Sequence, residues 1–110
     1  MHPPDPIDLG AMRAAAGRAR ALLKVLSNRD RMLLLCKLAE GESSVGELEA
    51  ALAIHQPTLS QQLGVLRDEG LVSTRREGKQ VFYTLSSPEA LAVMRTLVDL
   101  YCPKPDGEPT

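Results

Sequence analysis

Aromatic residues are nearly missing from this chain. Its 110 residues include one phenylalanine, two tyrosines and no tryptophan. A core must therefore be assembled from Leu, Val, Ala and Met, which favours packed helices over a β-sandwich. No stretch reaches the roughly 18 consecutive apolar residues of a membrane-crossing helix, so none is expected. The opening Met1-His2-Pro3-Pro4-Asp5-Pro6 lacks the basic and apolar regions of a signal peptide, and a cytoplasmic protein is the expectation. Cysteine and histidine are equally scarce, at two each. Zinc and soft-metal sites want such ligands in threes and fours, so neither metal nor cofactor is expected. No nucleophile–base pair and no phosphate-cradling loop stands out, which argues against an enzyme. In a cytoplasmic chain, two cysteines are more often reduced than structurally bridged.

Charge of either sign is also lacking in excess, the net being −1. The sum decides nothing about nucleic acid; the distribution matters more. Between Ala11 and Ala39 the bases include Arg13, Arg18, Lys24, Arg29, Arg31 and Lys37, against Asp30 alone. Acids gather afterwards at Glu40, Glu42, Glu47 and Glu49. Either these are solvated helix faces, or the basic clusters face one way.

What is present is helical periodicity. The length suits one domain, small enough to gain from dimerisation. Residues 1–7 and 103–110 are proline-rich and should be loose, leaving a domain over 8–102. Asp8 can cap a first helix to about Leu26, with an apolar stripe including Leu9, Met12, Leu23 and Leu26. That stripe has two outlets, the core or a second subunit, and part of it suits the second. Ser27-Asn28 breaks this helix and caps another from Arg29 to Glu40, apolar almost all round and so central; Gly41 ends it. Ser44-Val45-Gly46-Glu47 reads as a capping box opening a third helix, with Val45, Leu48, Ala51 and Leu52 inward. Ala53-Ile54-His55 is a turn.

The stretch from Gln56 to Gly70 organises the rest. Pro57 suits the first position of a fourth helix, and Gly70 stops it. Leu59, Leu63 and Leu66 bury one face. The other face carries Thr58, Ser60, Gln61, Gln62 and Arg67, polar and mostly uncharged, as reading base edges requires. Glutamine can bond adenine N6 and N7 with both amide atoms. This helix is read as the recognition helix of a helix-turn-helix entering the DNA major groove. Two strands follow, Val72–Glu77 and Gln80–Leu85, joined at Gly78-Lys79. They make a wing whose Arg75, Arg76 and Lys79 lie at or near the tip, ready for phosphates or the minor groove. Ser87-Pro88 starts a last helix with Leu91, Met94, Leu97, Val98 and Tyr101 as its stripe. Cys102 sits at or just beyond its last turn. Taken alone, Cys36 reads better as a small core residue made inert by apolar surroundings than as a reactive thiol. For Cys102, the helix C-terminus disfavours a thiolate.

The expected fold is therefore mainly α with a two-stranded β wing: four helices, the wing, then a fifth helix. Leu26-Ser27-Asn28-Arg29-Asp30-Arg31, Gln56-Pro57-Thr58-Leu59-Ser60-Gln61-Gln62-Leu63, Leu66-Arg67-Asp68-Glu69-Gly70-Leu71-Val72 and Arg75-Arg76-Glu77-Gly78-Lys79-Gln80-Val81-Phe82-Tyr83 together resemble the ArsR family of dimeric bacterial repressors, over roughly residues 18–102. The resemblance implies a homodimer through the terminal helices and double-stranded operator DNA as partner, with Ser60 and Gln62 approaching bases. Gln56, Thr58 and Gln61 would contact bases or phosphates. The chain departs from the family's metal sensors: its third helix has no cysteine, and its last helix has no histidine and only Glu89 and Asp99 as oxygen ligands. Leu34-Leu35-Cys36-Lys37-Leu38 and Leu100-Tyr101-Cys102-Pro103 instead resemble a persulfide- and redox-responsive branch, repressors of sulfide metabolism and biofilm growth. That likeness implies that reactive sulfur species join Cys36 to Cys102 by a disulfide or polysulfide and lower DNA affinity. Two alternatives stay open: a DNA regulator or anti-silencer with inert cysteines, and a protein-interaction module that does not read DNA.

Overall fold

Side-chain caps set most of the helix boundaries. The computed structural model describes residues 8–103, so the segments 1–7 and 104–110, expected to be loose, lie outside the described residues. Helix α1 (Leu9–Leu26) starts where the Asp8 carboxylate accepts from the Gly10 N–H at 3.0 Å. Helix α2 (Arg29–Leu38) starts where Asn28 Oδ1 accepts from the Arg31 N–H at 3.0 Å. It stops two residues before the expected Glu40, because the N–H groups of Glu40 and Gly41 turn back to the carbonyls of Lys37 and Leu38. Such i→i+3 bonds tighten a last turn and satisfy its carbonyls.

The capping box forms as read. Ser44 Oγ accepts from the Glu47 N–H at 3.1 Å, and Glu47 Oε1 accepts from the Ser44 N–H at 2.8 Å. It opens α3 (Val45–Leu52), of which Leu48 is fully buried. Ala51, expected inward, is exposed. Helix α4 (Thr58–Asp68) begins one residue later than the proline reading placed it, with Pro57 at the cap position. Pro57 has no side-chain oxygen to offer; Gln56 Oε1 takes that role by accepting from the Ser60 N–H at 3.0 Å. At the other end Gly70 adopts φ +75°. This lets the Leu71 N–H reach the Leu66 carbonyl and the Gly70 N–H reach that of Arg67, each at 3.0 Å. That double closure is the Schellman motif, and Leu66 and Leu71 are both buried beneath it.

Two wing strands run as expected, β2 (Val72–Glu77) and β3 (Gln80–Leu85), antiparallel with Glu77 opposite Gln80. Gly78 carries φ +62°, as the first position of a II′ hairpin turn requires. The sheet has a third member that sequence reading missed: β1 (Ser43–Ser44) pairs with β3, giving the order β1-β3-β2. A two-residue strand has no period to detect, so the two-stranded wing is corrected to a three-stranded sheet. Helix α5 (Pro88–Tyr101) is capped by Ser87, whose Oγ accepts from the Ala90 N–H at 3.2 Å.

Helix α2 is the centre. It packs on α1, α3, α4, α5 and β3. Leu34 and Leu35 are 0% exposed, and Leu48, Leu59, Leu63 and Leu66 close the core around them. Helix α1 contrasts with this: only Val25 and Leu26 are buried, while Leu9, Met12 and Leu23 are 44–59% exposed. At the far end of α5, Leu100 and Tyr101 are also exposed.

Ser44 serves both the capping box and β1. Ser44→Ala is expected to cost about 1 kcal/mol of folding stability, read as a lowered urea midpoint at unchanged m-value.

Candidate functional site

The polar face of α4 is assembled by the leucines behind it. Leu59, Leu63 and Leu66 anchor the helix on α2 and turn Ser60, Gln61 and Arg67 to solvent. Gln56 is exposed just ahead of them, and Thr58 and Gln62 are half-buried. Gln62 differs from its neighbours. Its Oε1 accepts from Arg31 Nη1 at 2.9 Å, while Arg31 Nε donates to the Val25 carbonyl at 2.7 Å. Arg31 therefore bridges the end of α1 to the face of α4. Nothing local in the sequence signals this link, since Arg31 and Gln62 lie far apart along the chain. His55 is exposed in the turn, with Nδ1 at 3.7 Å from a Glu49 carboxylate oxygen.

The wing also differs from the expectation. Arg76 and Lys79 are exposed and have no ion-pair partner among the described residues. Arg75 is exposed too, but its guanidinium is engaged. It makes two 2.8 Å bonds to the Glu42 carboxylate and one of 2.7 Å to Glu77, and lies 4.4 Å from the Phe82 ring centroid. The Thr84 hydroxyl donates to Glu42 at 3.3 Å. Strand alternation is the cause: Arg75 shares a sheet face with Phe82, its cross-strand partner, and with Thr84. Residue type alone placed Arg75 with the phosphate-seeking cations; pairing with Glu42, remote in sequence, was not readable. Arg75's hydrogen bond holds the Glu42 carboxyl below its ordinary range.

The thiols of Cys36 on α2 and Cys102 at the end of α5 are both free. Cys36 is half-buried and Cys102 exposed. Burial pushes the Cys36 thiol above its ordinary value, and the nearby Cys102 thiol and Glu40 carboxylate push it further. Arg95 and Asp99 of α5 line the open cleft beside Cys36 with Glu40. No group of three metal-ligating side chains comes together among the described residues, nor is any helix there long and apolar enough to cross a membrane.

A model of the bacterial regulatory proteins of the arsR family matches residues 28–74, from the Asn28 cap to the first wing strand. Over 102 residues the chain is 51% identical to the biofilm growth-associated repressor of Agrobacterium fabrum, covering 88% of this chain and 87% of that protein. The chain belongs to the arsR family. This arsR-family chain is also 46% identical to the transcriptional activator HlyU of Vibrio cholerae, over 88% of itself and 90% of HlyU. The crystal structure of the transcriptional repressor BigR from Xylella fastidiosa superposes with a TM-score of 0.81 at 47% identity, covering 89% of this chain and all of that one. The family and these relatives are transcription regulators rather than enzymes.

The Glu42–Arg75 pair makes a pH prediction. A carboxyl whose pKa is depressed on folding stabilises the fold above the ordinary carboxylate range, and that stability is lost as pH falls through the depressed value. Amide exchange protection in β2 and β3 should hold at neutral pH and fall on acidification below the ordinary range. Glu42→Gln should lower wing protection at neutral pH and flatten its dependence on acid.

Proposed function

We propose that this chain is a homodimeric winged-helix repressor, cytoplasmic, whose grip on operator DNA is released when its two thiols are joined. The observation that carries the reading is that the free thiol of Cys36, on the central helix, faces α5 and is influenced by the free thiol of Cys102 at that helix's end. The exposed leucines of α1 with Leu100 and Tyr101 of α5 supply an apolar face that a second copy covers. In the dimer, two α4 helices enter successive major grooves about one helical turn apart. Ser60, Gln61 and Gln62 meet base edges, with Gln56 and Thr58 at the near backbone. Arg67, Arg76 and Lys79 meet phosphates and supply the salt-dependent part of affinity. Arg75, committed to Glu42 and Glu77, holds the wing in place rather than binding DNA.

The inducer in this reading is a reactive sulfur species. With a persulfide RSSH, two cysteine thiols yield the disulfide, the thiol RSH and hydrogen sulfide; the cysteines are oxidised and the sulfane sulfur reduced. A link between Cys36 and Cys102 ties α2 to α5 and shifts the spacing of the two reading heads. A coupling of about 1–3 kcal/mol is enough to change affinity 5- to 150-fold. Where the thiols sit too far apart for a direct bond, a second RSSH supplies one more sulfur, giving a trisulfide bridge with two RSH and one hydrogen sulfide released and less backbone movement.

A second reading has its own support. The raised Cys36 pKa lowers its thiolate fraction and favours inert cysteines in a constitutive regulator or anti-silencer, and one relative carries the name activator.

The two separate in operator-binding titrations before and after persulfide treatment, with mass spectrometry on the same samples. The proposal expects a Cys36–Cys102 link and at least fivefold weaker binding in the parent protein, with neither effect in Cys36→Ser or Cys102→Ser. Full cross-linking with unchanged affinity would overturn it. A parent protein that forms no Cys36–Cys102 link under persulfide and keeps its affinity would favour the second reading.

A further inference from the structure

Glutamine in a recognition helix is usually versatile, since its amide offers an acceptor oxygen and a donor nitrogen side by side. In Gln62 the two ends are not equivalent. The oxygen accepts from Arg31 Nη1 at 2.9 Å. This orientation does not depend on how the amide was assigned, because a guanidinium has five N–H donors and no acceptor, so only an oxygen can face it. Arg31 is in turn held from two sides. Its backbone N–H is bound by the Asn28 cap, and its Nε by the Val25 carbonyl at 2.7 Å. Both Arg31 and Gln62 are half-buried, so the bond is partly shielded from competing water. The Gln62 amide nitrogen makes no hydrogen bond within the described residues, which leaves its two N–H groups for a ligand.

We infer that Gln62 reads its base pair as a donor only, selecting guanine over adenine at one position of each half-site, and that Arg31 is the positioning residue enforcing this. The inference rests on the DNA-reading function proposed above and names the specificity of that same helix. Guanine shows two acceptors in the major groove, O6 and N7, to which one amide NH2 can donate twice. Adenine shows N7 beside the N6 amino donor. A free glutamine satisfies that pair with its oxygen and nitrogen; Gln62 would need its oxygen to accept N6–H as well. The Arg31 charge at 2.9 Å opposes a second positive donor at that oxygen. Donation from Arg31 also polarises the amide and strengthens its N–H groups.

Selection of binding sites from a randomised DNA pool tests this, run in reducing conditions with the full chain, Gln62→Glu, Gln62→Ala and Arg31→Met. The parent protein is expected to favour guanine over adenine at one half-site position by about tenfold, with that preference lost in Gln62→Ala while other positions persist. In Arg31→Met the oxygen is released, and the same position should turn towards adenine. Gln62→Glu guards against misfolding of the Arg31 variant. Its carboxylate still accepts from Arg31, so thermal unfolding should be unchanged, yet it has no donor and the guanine preference should disappear. A Gln62-dependent position that favours adenine in the parent protein would overturn the inference, as would unchanged guanine preference in a folded Arg31→Met or in Gln62→Glu. Enriched sites with no position sensitive to Gln62 would remove this inference alone. Failure to enrich any sequence would remove the DNA-reading proposal along with it.

Discussion

The central position of α2, with Leu34, Leu35 and Leu38 buried and Leu33 left exposed, is the constraint from which the rest of the molecule follows. Leu34 and Leu35 are wholly buried, and five other elements rest on this helix. A helix so enclosed cannot shift without its neighbours, because close-packed cores switch between arrangements rather than deform smoothly. The same rod carries Arg31 in its first turn and Cys36 near its end. They are separated by about 7.5 Å along the axis at 1.5 Å per residue. The side chain that orients Gln62 and the thiol that meets Cys102 are thus mounted on one rigid part. In the proposed switch, a displacement forced at the thiol end would be carried to α4 by backbone and packing, with no chain of side-chain relays required.

Electrostatics on the reading surface is leaner than the count of basic residues suggests. Arg75 is neutralised by Glu42 and Glu77, and Arg31 is turned inward to Val25 and Gln62. The exposed cations left near the α4 face and the wing are Arg67, Arg76 and Lys79. With few cations per subunit to displace counterions from phosphate, a single subunit has weak purchase on DNA. The proposed dimer doubles the set. In the proposed reading, discrimination then depends on Ser60, Gln61 and Gln62, whose positions are set by the leucines beneath α4.

Much of the fold was legible because its signals are local. Asp8, Asn28, Ser44 and Ser87 each sit at the cap their residue type announces, and Gly70 and Gly78 each take the positive φ that a side chain resists. The wing strands, with Gly78-Lys79 between them, matched their reading to the residue. What escaped was non-local. β1 is two residues long and exists only because β3 passes beside it. Pro57 marked the start of α4 to within one residue, but the capping contact comes from Gln56. At the candidate site, composition identified which side chains are polar and exposed, not which are already bonded. Arg75 and Gln62 are both held by residues more than thirty positions away, and no periodicity encodes such a meeting.

The end of α5 combines two properties that bear on each other. It brings Cys102 to Cys36, and it presents Leu100 at 69% and Tyr101 at 78% exposure. A helix end with so little buried apolar area in one subunit is weakly held there, since each buried side chain is worth roughly 1.5–3 kcal/mol. Its position is therefore open to being set from outside, by a second copy covering Leu100 and Tyr101 or by a sulfur link drawing Cys102 towards α2. The two demands meet at adjacent residues, so satisfying one changes the geometry available to the other. In the proposed switch, coupling between the thiols and the subunit arrangement needs no dedicated hinge; it follows from placing a thiol beside apolar side chains at a weakly held helix end.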